Sequence, residues 1–417
     1  MVTCACLRNG DRDFMFTGRW RRCLLALFLV GVSVPHAMAK SKFSIAGGKT
    51  VSTLPFELID NRVFVEVRLN GHGPFHFILD TGAGGFSITD EVAQNLGLKV
   101  EGTGQGPGVG EKIVHFGRTH LSKAQIGDLQ FEELEAQVFP GGDSPSVFGK
   151  KPVDGIVGLE VFQRVVVKHD YVSKVLTFTL PEKFHDEGHG TIVQCERPYF
   201  IPVVKATLDG VSGKFGIDTG ARSSLLVYGP FAEENRLKEK YGARLEGVTG
   251  WGFGGPVRSL LARAKELRIG DVVVHDLVVR LSTQKAGLTT SSAMAGLIGP
   301  DVLSQFDLTV DYSRNQVIFE KNKNYGRRDS YDRAGMWMGQ EGQHFTVVDV
   351  VAGGPAADAG IKTGDTILAI DGVPTRKLVL PDVREHIRRE VVGKEMTLQL
   401  ESNGKRRTVT VILRDLV

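Results

Sequence analysis

Hydrophobic and polar positions alternate with a period of two over much of this chain. Val63, Val65, Val67 and Leu69 are interleaved with Phe64, Glu66 and Arg68, the pattern of a strand with one buried face. It stops at Asn70-Gly71, a hairpin signal. Val204, Ala206 and Leu208 stop in the same way at Asp209-Gly210. Each hairpin returns through an apolar run, Phe77-Ile78-Leu79 or Phe215-Gly216-Ile217, into the same four residues: Asp80-Thr81-Gly82-Ala83 and Asp218-Thr219-Gly220-Ala221. Farther on, Ile156-Val157-Gly158 matches Leu297-Ile298-Gly299 at a separation of 141 residues. The same separation carries Val161 onto Val302, Asp170-Tyr171 onto Asp311-Tyr312, and Phe178 onto Phe319. A constant offset over such a length means one topology written twice. Two small, mainly antiparallel β-barrel lobes are expected, over residues 40–185 and 186–323.

Each half also holds a glycine-rich, weakly apolar stretch, Gly102 to Gly110 and Gly247 to Gly255, the second carrying Trp251 and Phe253. Their placement suits mobile hairpins over a cleft. Residues 181–190 break the pattern between the halves. His185, Asp186, Glu187 and His189 fit no standard metal-ligand spacing there, and a solvated connector is expected. A second polar linker, Lys321 to Arg333, precedes a different pattern over 334–417. Phe345 to Val351 reads as a strand, Asp382 to Val392 as a helix, and Met396 to Leu413 as a hairpin turning at Asn403-Gly404.

At 417 residues the chain needs two or three cores, and 41% hydrophobic with 24% charged residues is a soluble, globular balance. The N-terminus changes the charge picture. Arg19, Arg21 and Arg22 precede the short apolar run Cys23 to Val34, and Ala37-Met38-Ala39 is a small-x-small cleavage pattern. Residues 1–39 therefore read as a signal peptide, with export to the periplasm or beyond and no integral membrane segment after its removal. That segment carries five arginines and two aspartates, the whole formal excess of +3. The mature chain is neutral, which argues against nucleic acid as a partner. It retains only Cys195 of the four cysteines, so no internal disulfide is possible.

The chemistry lies in the repeated tetrapeptide. A carboxylate at the end of a buried strand, next to a glycine, is held firmly but is costly to ionise. Two brought together share one proton. Asp-Thr-Gly-Ala at a strand end, with a hydrophobic-hydrophobic-Gly tripeptide closing each half, resembles the retropepsin-like aspartic proteases. The two-lobed, pepsin-type members fuse both halves in one chain, as here. The resemblance implies that Asp80 and Asp218 are a catalytic pair acting on polypeptide substrates through an activated water, with no metal or other cofactor. It implies interlocking hydroxyls from Thr81 and Thr219 and close backbone approach at Gly82, Ala83, Gly220 and Ala221. Gly158 and Gly299 would let a strand cross beneath the site. Gly108, Gly110, Trp251 and Phe253 are the flap candidates, since neither hairpin has the tyrosine of the pepsin-type flap. Arg222, beside the second motif, is expected as a rim charge.

The run Gly353-Gly354-Pro355-Ala356-Ala357-Asp358-Ala359-Gly360-Ile361, followed by Lys362-Thr363-Gly364-Asp365 through Asp371-Gly372, is similar to bacterial PDZ domains. That similarity implies a groove for an extended peptide or protein C-terminus. Its carboxylate-binding loop would fall at Gly335-Met336-Trp337-Met338. A serine-protease reading fails, because Pro145 replaces the glycine needed after Ser144 in Gly141-Gly142-Asp143-Ser144-Pro145 and no Gly-x-Ser-x-Gly occurs. The rival from another class is a catalytically inert peptide-binding scaffold.

Overall fold

The computed structural model describes residues 41–141, 148–149, 152–198 and 200–417. The expected signal peptide and Ser144 lie outside them. The described chain is mainly β. In the first half, Arg62–Leu69 turns through Asn70 and Gly71, both at positive φ (49° and 84°), into His72–Leu79. These are the angles of a hairpin turn matched to strand twist. Register places Phe64 opposite Ile78 and Val65 opposite Phe77. The tripeptide strand Gly155–Val157 then inserts between two others, parallel to His72–Leu79 and antiparallel to Phe86–Thr89.

The second half repeats each step. Val203–Leu208 turns through Asp209 and Gly210 (φ 45° and 84°) into Val211–Ile217. Gly296–Ile298 inserts parallel to that strand and antiparallel to Leu225–Val227. Val63, Val65, Val67, Phe77 and Leu79 share one core with Phe215, Ile217, Leu225 and Val227.

A six-stranded sheet joins the halves. Its order is Thr191–Gln194, Gln316–Lys321, Phe306–Asp311, Val166–Asp170, Val175–Thr179 and Val51–Pro55. The junction is antiparallel, with Val167 opposite Val310 and His169 opposite Leu308. The repeated Asp-Tyr pairs lie at the ends of these strands. Asp170 Oδ1 accepts from the amides of Val172 and Ser173, and Asp311 Oδ1 from those of Ser313 and Arg314. Each aspartate thus ties the turn that follows it.

Residues 336–412 form a separate sheet ordered Met336–Glu341, His344–Val350, Thr366–Ile370, Glu395–Ser402, Lys405–Ile412, with the helix Leu380–Arg389 and its own core. The connector at His185, Asp186, Glu187 and His189 is exposed, as expected. The second linker is not a solvated spacer. Asp329, Tyr331 and Arg333 are buried, with the Tyr331 hydroxyl donating to the Val248 carbonyl. Lys321, Lys323, Arg327 and Arg328 made it read as a polar linker, while the residues that follow them are packed between the last sheet and the second half.

Candidate active site

Each apolar run delivers its aspartate to the interface between the halves. Asp80 N–H donates to the Val157 carbonyl and Asp218 N–H to that of Ile298, both at 2.9 Å, so the inserted tripeptide strands carry the two aspartates. Gly158 and Gly299 end those strands where a side chain would overlap backbone: the carbonyls of Asp80 and Ala83 at Gly158, and that of Ser223 at Gly299. Only a residue without Cβ fits.

The threonines interlock. Thr81 Oγ1 donates to the Ile217 carbonyl at 2.6 Å, and Thr219 Oγ1 to that of Leu79 at 3.1 Å. Each hydroxyl oxygen also accepts the other threonine's N–H at 3.0 Å. These reciprocal bonds are buried and lock the two tetrapeptides in one register.

The glycines show that the carboxyl groups share a site. A Cβ on Gly82 would lie 3.1 Å from Asp80 Oδ1 and 3.2 Å from Asp218 Oδ1, and one on Gly220 would overlap the Asp80 carboxyl group. Gly82 N–H donates to Asp80 Oδ1 at 2.6 Å. The amides of Gly220 and Ala221 both donate to Asp218 Oδ1 at 2.9 Å. Burial raises the proton affinity of both aspartates, and the Asp80 charge raises that of Asp218 further. The Gly82 amide and the Arg62 guanidinium partly offset the rise at Asp80. The two carboxyl groups therefore hold a common proton well above the ordinary carboxylate range.

Residues 65–161 match the family model for aspartyl protease, and residues 317–413 match that for the PDZ domain. The chain is similar to retropepsin-like aspartyl proteases and carries a C-terminal PDZ domain. No curated protein matches it. A solved aspartic proteinase from Irpex lacteus is 11% identical, covering 66% of this chain and 98% of its own, with a TM-score of 0.43. The PDZ match begins inside Gln316–Lys321, a strand that here belongs to the sheet joining the protease halves.

Both glycine-rich stretches are hairpin tips of this protease-like fold, and they meet. Gly110 N–H donates to the Phe253 carbonyl at 2.9 Å, Lys112 N–H to that of Gly254 at 3.0 Å, and Leu288 N–H to that of Gly108 at 2.9 Å. A side chain on Gly108 or Gly110 would collide with the opposing backbone. Phe253 stacks on Phe139 of the first half at 4.2 Å, whereas Trp251 is half-buried lower in the hairpin. Phe253, not Trp251, makes the aromatic contact with the first half, at the end of its strand Leu129–Phe139.

Two expectations need correction. Arg222 is not a rim charge: its Nε lies 2.7 Å from Asp60 Oδ1, and its guanidinium covers Trp337 of the PDZ domain at 5.0 Å. Gly335-Met336-Trp337-Met338 do not line an open pocket. Gly335 is a turn at φ 69°, and Met336, Trp337 and Met338 lie in a strand at 5%, 5% and 1% exposure. Met336 and Met338 fill the PDZ core, and Trp337 sits between Arg222 and Arg384. The amides of Ala334 and Gly335 already donate to Asp332 Oδ1 at 3.0 and 2.8 Å. Gly149 of the first half lies against Gln340 and Leu380, between the outer strand and the helix.

Sequence reasoning missed Asp60, Asn61 and Arg62. They form a charged turn leading into Arg62–Leu69, with nothing repeated at the matching place in the second half, where Ile201 aligns with Arg62.

Proposed function

We propose that the chain is an exported aspartic endopeptidase that hydrolyses polypeptides with a water activated by Asp80 and Asp218. The mutual insertion of Gly82 and Gly220 against the opposite motif carries this reading, because it seats two carboxyl groups in one proton-sharing site. The ionised member takes a proton from the water while the protonated member donates to the scissile carbonyl. The attack forms a tetrahedral diol, and the same pair returns a proton to the departing amine. The amides of Gly82, Gly220 and Ala221 hold the carboxyl planes so that no reorganisation is needed during these transfers. Extended substrate lies between the pair and the joined hairpin tips. Export rests on the basic and apolar N-terminal pattern. Among the described residues no helix is long and apolar enough to cross a membrane.

The mature protein should cleave a denatured protein substrate and be blocked by a pepstatin-type inhibitor, not by serine-directed reagents. A folded preparation that cleaves nothing across pH would favour the inert scaffold. Substituting Phe253→Ala removes one interdomain aromatic pair, worth roughly 0.5–1.5 kcal/mol. KM for a peptide should rise about twofold to tenfold with a smaller change in kcat, read from steady-state kinetics.

Ala83 and Ala221 provide no hydroxyl to either carboxylate. In Ala221→Ser a hydroxyl donor would join the two amides already on Asp218. Donation favours the ionised form, so the alkaline limb of the pH–activity profile should move to lower pH, by about one unit for one charge-assisted bond. An unmoved limb would mean that the added hydroxyl does not reach the carboxylate.

A further inference from the structure

Asp60 and Asn61 form a two-residue turn, both at positive φ (49° and 67°), and Arg62 opens the strand that leads toward Asp80. Such a turn ordinarily faces water. Here the three side chains reach into the second half. Arg62 Nε donates to the carbonyl of Gly220, within the second Asp-Thr-Gly, at 2.8 Å. Asn61 Nδ2 donates to the Arg222 carbonyl at 3.0 Å and to Asp301 Oδ1 at 2.8 Å. Two consecutive links therefore hold the loop that presents Asp218.

Asp60 orders both links. Its carboxylate, 3% exposed, lies 3.0 Å from Arg62, 2.7 Å from Arg222 and 3.5 Å from Arg384. The third cation comes from the PDZ helix Leu380–Arg389. Burial alone would raise the Asp60 pKa, but Arg222, Arg384 and Arg62 hold it far below the usual carboxylate range. One carboxylate thus anchors three buried guanidinium groups, two beside the Asp218 loop and one on another domain. A buried cation keeps its place only while it is paired. Arg384 also donates to the Met338 carbonyl on the outer PDZ strand, the backbone edge that an added peptide strand would need.

We propose that Asp60 is a positioning residue through which the docked PDZ domain, by way of Arg384, holds Arg62 on Gly220 and so fixes the Asp218 carboxyl group. This rests on the endopeptidase reading. The PDZ domain then acts as part of the active-site frame and not as a tethered substrate collector. A peptide strand added beside Met338 must displace Arg384, which makes groove occupancy and dyad geometry two readouts of one contact.

The test uses full-length Arg384→Gln and Arg384→Lys with a short peptide substrate, which has no use for a docking groove. The prediction is a kcat lowered about tenfold in Arg384→Gln with KM nearly unchanged, and partial recovery in Arg384→Lys. Removing a cation also favours protonated carboxyl groups, so the alkaline limb should move to higher pH. The charged groups facing this path are Asp60, Arg62, Arg222, Arg384, Asp332, Asp301 and Arg388, with Asp80 and Asp218 at its end. If Arg384→Gln does not fold, Arg384→Lys decides: lowered kcat at an unchanged melting temperature supports the proposal. Unchanged kcat and pH profile in a folded variant, with only the melting temperature lowered, would overturn it. Wild-type protein that cleaves nothing would sink the endopeptidase reading itself, a different outcome from active wild type beside an equally active Arg384→Gln.

Discussion

Asp218→Asn should lower kcat by roughly 10²–10⁴-fold, the usual contribution of a positioned acid–base group, while leaving the fold intact. Asparagine has the same shape, and its carbonyl oxygen can still accept from the amides of Gly220 and Ala221 that now hold Asp218. What disappears is the second titrating group. Asp80 loses the neighbour with which it shares a proton, and neither charge state of the variant offers both a base and an acid. Asp80→Asn should behave in the same way, since the pair works as a unit. Circular dichroism and thermal melting, with peptide turnover measured in parallel, check both halves of the expectation. Near-normal turnover in either variant removes the assignment of these aspartates.

Arg388→Ala should destabilise the protein by about 3–5 kcal/mol at neutral pH, the cost of leaving buried charge unpaired. Arg388 projects from the PDZ helix to lie 2.7 Å from Asp301 and 3.0 Å from Asp329, whose side chains are 1% and 2% exposed. Burial opposes ionisation of Asp301, yet Arg388 brings its pKa below the ordinary value. Burial and the Asp301 charge raise that of Asp329. A carboxyl group with a lowered folded pKa stabilises above its unfolded value and loses that contribution as pH falls through the folded one. Without Arg388 both carboxyl groups shift upward, so their penalty is full above the raised folded values and vanishes below the unfolded value near 4. The gap between variant and wild-type melting temperatures should therefore be widest at pH 7 and narrow in acid. A gap that does not depend on pH would show lost packing as the cause. Arg280 also acts on both aspartates, and Arg327 lies 3.9 Å from Asp301, so the expected loss falls toward the lower end of the range.

These two sites differ in how they are written in the sequence. The tetrapeptides, the hairpin turns at Asn70-Gly71 and Asp209-Gly210, and the offset of 141 are local patterns with local causes: turn angles, alternation, a missing Cβ. They could be read before any contact was known, and the PDZ strands and helix likewise. The ion pairs around Asp60 and Asp301 join residues far apart in the chain. Arg222 meets an aspartate 162 positions away, and Asn61 reaches Asp301 across 240. A charge buried by distant partners has the same local sequence as one in water, so Arg222 looked like a rim residue and 321–333 like a polar linker. Trp337 misled for a related reason: its apolar surface implied a ligand pocket, and two arginines of the same chain cover it.

The six-stranded sheet between the halves also constrains how the chain can be made. Val166–Asp170 lies in its middle, yet its neighbour Phe306–Asp311 is synthesised more than a hundred residues later. Until then the first half ends in an open strand edge, the surface on which unwanted pairing with other chains begins. Contacts so distant in sequence also form slowly, because a long loop must close before any pairing offsets its entropy. A polypeptide emerging from its N-terminus, whether from a ribosome or through a membrane pore, therefore cannot finish its first half alone. The nascent chain passes through an interval in which it needs protection from its own kind, and that interval ends only when Phe306–Asp311 arrives to cover the open edge.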